Sequence, residues 1–181
     1  MRCIHIDYHI KTNILLSNFH NCFSDELRYT VCMSHLFEQS AGGIVYRRHG
    51  GIIEVLLLKW KNSGGKIVYT IPKGHTLEWE DPADGALREI AEETGLEPAM
   101  LRIRKFIKTI SFSFTARHKT GHPTIDKDVH LYLVEYMGSR KPFVQREERF
   151  VWFVWLTPEQ LKKVKMKPPV YQIVEENRGF M

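Results

Sequence analysis

GHTLEWEDPADGALREIAEETGL, residues 74–96, is the stretch of the chain with the clearest local pattern. Asp81 is a favoured N-cap residue, Pro82 suits the first helical position, and Gly95 suits the position just after a helix. These signals predict a helix over Asp81–Thr94. An apolar stripe runs along it, made of Ala83, Ala86, Leu87, Ile90 and Ala91. The stretch therefore predicts an amphipathic helix with one face against a core.

Three glutamates share one face of this helix. Glu89, Glu92 and Glu93 stand at i, i+3 and i+4, a spacing at which side chains are neighbours and like charges repel. Arg88 is a partner for Glu92 at i+4 or for Glu80 across the preceding loop. The remaining carboxylates are enough for a hard divalent cation such as Mg²⁺, which prefers a few carboxylates, waters and phosphate oxygens. An acidic, solvated helix face is the alternative interpretation.

Strand-like runs surround the helix on both sides. Glycines 50 and 51 separate the first two runs and indicate a hairpin. A second helix is expected from Thr157 to the Pro168-Pro169 break, and a short helical piece after it. The chain is therefore predicted to be α+β. The predicted strands are Ala41–Arg48, Ile52–Lys59, Ile67–Ile71, Leu101–Phe114, Val129–Tyr136 and Arg149–Leu156, and the last helical piece is Tyr171–Asn177.

Two connecting segments matter for the site. Pro72-Lys73-Gly74 is expected to end a strand and turn sharply, which brings a backbone carbonyl close to the glutamates. Thr115–Asp128 is a long, polar and basic connection between strands. It is expected to be either a lid over a long anionic substrate or a solvated hairpin.

Composition sets wider limits. With 181 residues the chain has the size of one domain, and 43% apolar residues exclude a disordered protein. No run of about 18 apolar residues exists, so no membrane-spanning helix is predicted. The net charge of +5 and the pI near 9.1 favour anionic partners without choosing among nucleic acid, phosphorylated metabolites and membrane surfaces.

The first 32 residues differ from the rest of the chain. All three cysteines, Cys3, Cys22 and Cys32, lie there, and their odd number without metal-ligand spacing argues against a disulfide scaffold or a zinc site. This usage suits a reducing compartment, so we expect a cytoplasmic protein. Residues 1–32 are hypothesised to be a poorly ordered extension from an upstream start codon, and residues 33–181 the functional domain. A family-specific N-terminal arm is the alternative.

The glutamate helix carries a known motif. Counting from Gly74, Glu80 follows after five residues, and Arg88-Glu89-Ile90, Glu92-Glu93 and Gly95-Leu96 complete the pattern G-x5-E-x7-R-E-U-x-E-E-x-G-U, where U is aliphatic. The chain resembles a Nudix hydrolase over roughly residues 38–165. This resemblance implies an α/β/α sandwich around a mixed β-sheet with a loop–helix–loop catalytic motif. It also implies hydrolysis of a nucleoside diphosphate linked to another group.

The resemblance assigns roles to the residues of this motif. It implies that Glu89, Glu92 and Glu93 are the metal-binding and catalytic carboxylates, and that Glu80 and Arg88 form an ion pair that shapes the loop. Either Glu89 or Glu93 is expected to be the general base.

The resemblance also implies further metal ligands. Gly74, or Lys73 just before it, would lend a backbone carbonyl. A glutamate outside the motif often joins the metals, and Glu147 is preferred here over Glu148 by its spacing from Trp155. The expected cofactor is Mg²⁺, with Mn²⁺ as the alternative.

Other residues indicate the substrate. The sequence IPKGH, Ile71–His75, resembles the diadenosine tetraphosphate hydrolase branch, in which Lys73 and His75 would reach phosphate oxygens. KDVHLYLVEY resembles the strand where a lysine, here Lys127, meets the polyphosphate and an aromatic ring, here Tyr132, stacks on adenine. The alternatives are a solvated loop lysine and a core tyrosine. The chain departs from that branch at two positions, Leu77 and Trp79. Trp79 is expected to be a packed anchor of the loop, and a lid or stacking surface is the alternative.

The expected function is metal-dependent hydrolysis of a phosphoanhydride bond, with a dinucleoside polyphosphate as the favoured substrate. Nucleoside triphosphates, diphosphoinositol polyphosphates and the 5′ end of RNA are alternative substrates. A non-catalytic Nudix module that binds nucleotide or RNA is the alternative of another class. We expect a small-molecule partner and neither DNA nor a membrane, and the lack of a nucleic-acid-binding motif argues against RNA. The sequence does not determine the oligomeric state.

Overall fold

A computed structural model describes most of the chain. The described residues are 35–62, 64–117, 119–143, 150–164, 166 and 169–181. The hypothesis about residues 1–32 and the assignment of Glu147 or Glu148 as an additional metal ligand lie outside these residues. Within these ranges, no helix is long and apolar enough to cross a membrane.

The described residues form a seven-stranded sheet, with one helix between its fourth and fifth strands and two helices after its seventh. The main strand order is β3-β2-β1-β6-β5, with β4 paired to β1 and β7 paired to β2. The strands are β1 His35–His49, β2 Ile52–Lys61, β3 Ile67–Thr70, β4 Lys73–His75, β5 Leu101–Thr115, β6 Thr124–Tyr136 and β7 Phe150–Leu156. The helices are α1 Pro82–Thr94, α2 Pro158–Leu161 and α3 Val170–Glu176, with 3-10 turns at Pro98–Met100 and Arg178–Phe180.

Strands β1 and β2 form the hairpin that glycines 50 and 51 predict. The two strands are antiparallel, and His49 lies opposite Ile52 at the turn. Gly50 and Gly51 have φ angles of 58° and 78°. Positive φ at both central positions is typical of the type I′ turn, whose twist matches that of the flanking strands.

Helix α1 forms over the predicted residues because both of its ends are capped locally. The Asp81 side chain accepts a hydrogen bond of 2.8 Å from the backbone N–H of Ala83. At the other end, Gly95 has a φ of 64°, and its N–H donates to the carbonyl of Ala91. Ala86 and Ile90 of the predicted stripe are fully buried.

Two apolar clusters cover the two faces of the sheet. Alternation along β1 sends neighbouring side chains into different clusters, with Val45 in one and Tyr46 in the other. The first cluster joins the sheet to α1 through Ala86, Ile90, Val45, Leu56 and Val134. The second joins it to α2 and α3 through Leu161, Ile173, Tyr46, Leu57 and Leu133. These layers agree with the α/β/α arrangement that the resemblance implies.

Three sequence expectations about boundaries are wrong. Residues 73–75 form strand β4 and not a sharp turn, because they pair with β1, where Ala41 lies opposite Gly74. The expected connection Thr115–Asp128 is reduced to residues 116–123, because β6 already begins at Thr124. Helix α2 ends at Leu161, well before the expected proline break, and tight-turn hydrogen bonds follow it, such as that from Val164 N to the Leu161 carbonyl.

The described residues form two compact units. The larger unit contains residues 38–112 and the described residues after 126, and it holds both apolar clusters. The smaller unit contains residues 35–37 and 113–126. Within it, Ser113 Oγ donates to Asp126, whose other carboxylate oxygen lies 3.4 Å from the His35 ring, and these contacts lower the pKa of Asp126.

Candidate active site

Strand β4 and helix α1 position the glutamates. Glu89 and Glu93 lie one helical turn apart, and both are buried. The Glu93 carboxylate accepts a hydrogen bond of 2.9 Å from the backbone N–H of Lys73 in β4. The residue after Lys73 is Gly74, and its lack of a side chain leaves room for Glu89, because a Cβ atom there would overlap the Glu89 carboxylate. Glu92 is further out, with 53% of its side chain exposed.

Arg88 joins the carboxylates to the loop. Its Nε and Nη2 atoms donate to the two oxygens of Glu80 at 2.8 and 2.9 Å. Its Nη1 atom donates to Glu89 at 2.8 Å and to Glu92 at 3.1 Å. Nη2 also donates to the carbonyl of His75 at 2.8 Å. The two partners that the sequence left open, Glu80 and Glu92, are therefore both used, and Glu89 is a third.

The Glu80–Arg88 pair has strong electrostatic consequences. The hydrogen bonds from Arg88 lower the pKa of Glu80 to about 2, an effect that burial opposes and the backbone N–H of Leu77 reinforces. The same pair raises the pKa of Arg88 further above its usual range. Both groups therefore stay charged at any pH near neutrality, and the loop before α1 is tied to the helix by a permanent ion pair.

The loop itself carries an exposed tryptophan. Trp79 has a φ of 67° and is 92% exposed, so the expectation of a packed loop anchor is wrong. The neighbouring Glu80 carboxylate instead anchors the loop, through its bonds to Arg88 and Leu77. Leu77 is also exposed, at 61%.

A groove of about 300 Å³ lies between α1 and the strands. Its glutamates form one group, which we call the acidic wall: Glu89, Glu92 and Glu93. Its cationic or titratable side chains form another group, the basic wall: Lys73, His75 and Lys127. Gly74 and Ser40 complete the lining. The structure thus brings together eight residues from β1, β4, α1 and β6, six of which carry charge or titrate.

Lys127 is held in place and is not a solvated loop lysine. It belongs to β6, and only 17% of its side chain is exposed. Its Nζ atom lies 3.3 Å from a carboxylate oxygen of Glu38 and 3.2 Å from Nε2 of His75. The same oxygen of Glu38 lies 3.2 Å from Nε2 of His75. Glu38 therefore contacts two of the three members of the basic wall, Lys127 and His75, without being part of the groove lining.

Tyr132, predicted to bind adenine, lies in the core. It is 8% exposed, belongs to the cluster under α1, and meets the ring of Phe106 edge to face at 5.4 Å between ring centroids. Burial, followed by the negative charge of Asp81, raises the pKa of its hydroxyl. Tyr132 is not among the residues that line the groove. The sequence alternative of a core aromatic describes this position.

Sequence reasoning missed Glu38 and Ser40. Both belong to β1 and lie just before the glycine pair at 42–43, where strand alternation is the available signal. Ser40 reaches the groove because it lies opposite His75 in the pairing of β1 with β4. That pairing joins residues 35 positions apart, and local sequence patterns do not contain it.

The donor chemistry of the groove fits a divalent cation. Three carboxylates and the glycine that gives them room lie on one groove, and Mg²⁺ prefers oxygen donors of this kind. Across the described ranges, no three His, Cys, Asp or Glu side chains already converge as a metal centre. The three glutamates instead accept hydrogen bonds from N–H groups. Glu89 and Glu92 accept them from the Arg88 side chain, and Glu93 accepts one from the backbone of Lys73.

Known proteins resemble the chain over the same region. MutT4 of Mycobacterium tuberculosis is 30% identical over 110 residues, which cover 59% of this chain and 42% of that protein. The asymmetrical bis(5'-nucleosyl)-tetraphosphatase of Mus musculus is 37% identical over 87 residues, which cover 45% of this chain and 57% of that protein. The match thus spans about half the length of these curated relatives.

Solved structures share the fold. The crystal structure of a C. elegans Ap4A hydrolase binary complex has a TM-score of 0.60 at 23% identity, and covers 79% of this chain and 96% of that one. The Nudix hydrolase RenU from M. smegmatis has a TM-score of 0.56 at 17% identity, and covers 80% and 87% of the two chains. At these identities the likeness concerns the fold alone, and it confirms the expected α/β/α sandwich.

The NUDIX domain family model matches residues 36–176, which is most of the chain. This range contains the whole groove, the three helices of the described residues, and their strands apart from the first residue of β1. The chain therefore belongs to the NUDIX domain family.

Proposed function

We propose that this protein hydrolyses a phosphoanhydride bond in a nucleoside diphosphate-linked substrate, most favourably a dinucleoside polyphosphate. The observation that carries the proposal is that the acidic wall and the basic wall line the same groove. A cation held by the first wall and a polyphosphate held by the second would meet in the space between them. Family membership supports the reaction class, because Nudix hydrolases generally depend on a divalent metal.

The acidic wall is the proposed cation site. Glu89, Glu92 and Glu93 would hold Mg²⁺, or Mn²⁺ in its place, together with the backbone carbonyl of Gly74. Glu147 remains the proposed additional ligand from outside the motif. When bound, such a cation screens the phosphate charge and lowers the pKa of a water that it coordinates.

The side chains of the groove and of the preceding loop would then have three separate roles: proton acceptance, positioning of the helix, and phosphate binding. Glu89 or Glu93 accepts the proton of the attacking water, and both are buried where a carboxylate is poorly hydrated. Arg88 and Glu80 keep the loop and α1 in register, so that the carboxylates stay close to β4. Lys73, His75 and Lys127 donate hydrogen bonds to phosphate oxygens and orient the chain of phosphates for in-line attack.

The composition of the basic wall supports a polyanionic substrate. Lys73 and His75 come from β4 and Lys127 comes from β6, and all three line the same groove. The names of the mouse tetraphosphatase and the C. elegans Ap4A hydrolase support the same substrate class.

Tyr132 remains a candidate for binding the adenine ring. Its burial beside Phe106 makes core packing the competing role. Tyr132→Leu separates the two roles. A higher KM for diadenosine tetraphosphate at an unchanged Tm would support adenine binding, whereas a lower Tm at an unchanged KM would assign the ring to packing.

The substrate is tested by a screen at several Mg²⁺ concentrations over diadenosine tetraphosphate, nucleoside triphosphates, ADP-ribose, diphosphoinositol polyphosphates and 5′-triphosphate RNA. We expect magnesium-dependent turnover with the largest kcat/KM for the dinucleoside substrate. A strong preference for triphosphates would overturn the substrate and keep the reaction class. Nucleotide binding without turnover of any of these compounds would point to a non-catalytic module. The cysteine usage further supports a cytoplasmic location, which fractionation of cells would test.

A further inference from the structure

Glu38 contacts two side chains of the basic wall. One of its carboxylate oxygens contacts both Lys127 Nζ, at 3.3 Å, and His75 Nε2, at 3.2 Å. Its side chain is only 20% exposed, and that of Lys127 only 17%. Two largely enclosed charges of opposite sign therefore lie together, and both contact the more exposed imidazole of His75.

The order of the strands explains how one residue reaches both partners. Strand β1 pairs with β4 on one side and neighbours β6 on the other. Ser40 lies opposite His75, so Glu38, two residues earlier on the same face, is the diagonal neighbour of that imidazole. Lys127 comes from β6. Glu38 is thus placed to hold side chains from the two strands that flank β1.

We propose that Glu38 is a positioning residue, which holds Lys127 and His75 at the basic wall and keeps the lysine ammonium away from the glutamates of the acidic wall. This inference rests on the proposed function, because it concerns the same groove. Glu38 itself would contact neither substrate nor cation, and would act through Lys127 and His75.

The need for such a residue follows from the chemistry of lysine. Its ammonium is a point charge on a flexible four-carbon stem, and a partly buried ammonium requires an acceptor. Without Glu38, the carboxylates that share the groove with Lys127 are Glu89, Glu92 and Glu93. An ammonium bound there would partly neutralise the proposed cation site and would remove Lys127 from the phosphate site.

Removal of Glu38 also has an opposing electrostatic effect on polyanion binding, which is smaller than the effect of lost positioning. Removal of the Glu38 charge also raises the positive potential of the groove, which favours a polyanion. At 150 mM salt a unit charge several ångströms away changes affinity by about twofold. The loss of charge-assisted hydrogen bonds that position a cation changes affinity by about tenfold. The positioning effect therefore determines the expected sign.

The test compares Glu38→Ala, Glu38→Gln, Lys127→Ala and the double variant Glu38→Ala/Lys127→Ala in the full-length protein. Glu54→Ala is the matched control, because it removes a carboxylate that is bonded to Arg47 on β1, outside the groove lining. Calorimetry gives the dissociation constants of inorganic tripolyphosphate and, separately, of Mn²⁺. Steady-state kinetics give KM and kcat for diadenosine tetraphosphate.

We expect Glu38→Ala to weaken tripolyphosphate binding by about tenfold and to raise KM more than it lowers kcat. Mn²⁺ binding should also weaken, because the released lysine competes for the acidic wall. Glu38→Gln should recover part of the tripolyphosphate affinity, since its amide oxygen still accepts a hydrogen bond. In the Lys127→Ala background, Glu38→Ala should add less than about a twofold loss.

Three results would overturn the proposal. The first is that Glu38→Ala binds tripolyphosphate as tightly as the wild type does. A loss of equal size with and without Lys127 is another, because it would mean that Glu38 does not act through the lysine. The third is equal damage by Glu54→Ala. If Glu38→Ala does not fold, Glu38→Gln carries the same comparison.

Failure of the proposed function gives a different pattern. Binding of tripolyphosphate by a wild-type protein that hydrolyses nothing would contradict the proposed function and leave the comparison of Glu38 variants decisive. A wild-type protein that does not bind tripolyphosphate would contradict both proposals.

Discussion

Arg88 connects the loop, the helix and the strand that make up the motif. One guanidinium contacts Glu80 in the loop, Glu89 and Glu92 on α1, and the carbonyl of His75 in β4. An arginine suits this position, because its planar group presents five donors in fixed directions, whereas a lysine ammonium is a single point charge. The arrangement also offsets the repulsion among the glutamates, which by themselves would weaken the helix.

The Glu80–Arg88 pair predicts a pH-dependent effect on stability. We expect Glu80→Gln to lower the free energy of unfolding by about 1–3 kcal/mol at pH 7, because a partly buried guanidinium loses its charged partner. The pKa of Glu80 falls from 4.5 to about 2 in the folded protein. The unfolded chain therefore takes up the proton first, and the wild type loses this stabilisation as the pH falls from about 4.5 towards 2.

Urea unfolding of the wild type and Glu80→Gln at pH 7, 4.5 and 3 measures this effect. The stability gap between the two proteins should be largest at pH 7 and should narrow towards pH 3. A gap of the same size at pH 7 and pH 3 would mean that the pair does not lower the pKa of this carboxylate.

Sequence reasoning reached the residues of the motif but not their neighbours. Glu89, Glu92, Glu93 and Arg88 lie within six consecutive residues of one helix, so that helical spacing alone places them on one face. Glu38 depends on contacts with residues 37 and 89 positions away. Such contacts follow from the order of the strands in the sheet, which no local pattern records.

At the scale of elements, α1 was predicted with its ends because its signals are local. Asp81, Pro82 and Gly95 act on the backbone within a few residues. The starts of the strands were harder to predict. Strand β6 begins at Thr124, where Ile125 is buried but the next three residues are polar, so the apolar alternation that indicates a strand is interrupted.

The C-terminal end of α1 gives a prediction about stability. Gly95 has a positive φ, and a Cβ atom there would overlap the ring of Phe143. We expect Gly95→Ala to lower the free energy of unfolding by about 2–3 kcal/mol, from both backbone strain and displacement of the ring. Gly50→Ala is the control, because Gly50 has a φ of 58° with no atom within 4 Å of its added Cβ.

Gly50→Ala should cost only about 1 kcal/mol, since it meets the backbone strain alone. Chemical unfolding of both variants gives the two values. Equal losses would show that the contact with Phe143 contributes nothing to the requirement for glycine at the end of α1.

At the scale of the whole molecule, the sheet separates α1 from α2 and α3. The cluster under α1 supports the helix that carries the glutamates, and the cluster on the other face stabilises the sheet without touching the groove. The α/β/α layers were predicted through the family resemblance. Composition and periodicity alone gave only the α+β class, because the position of each helix relative to the sheet depends on long-range packing.

The family match begins at residue 36, which supports our proposal that residues 1–32 lie outside the Nudix domain. We expect a protein lacking these residues to keep its Tm within about 3 °C, because removal of a segment outside a domain generally changes the stability of that domain little. Differential scanning calorimetry and the hydrolysis assay measure both consequences. A large loss of Tm or of activity would favour the alternative of a family-specific N-terminal arm.

The central claim is that the glutamates of α1 form a cation site at which a phosphoanhydride is hydrolysed. The kcat of Glu93→Gln with diadenosine tetraphosphate at saturating Mg²⁺ tests it most directly, with the exposed Glu159→Gln on α2 as the control. We expect a loss of at least about a hundredfold for Glu93→Gln at an unchanged Tm, and none for the control. A wild-type protein without magnesium-dependent turnover, or a Glu93→Gln variant as active as the wild type, would contradict the account.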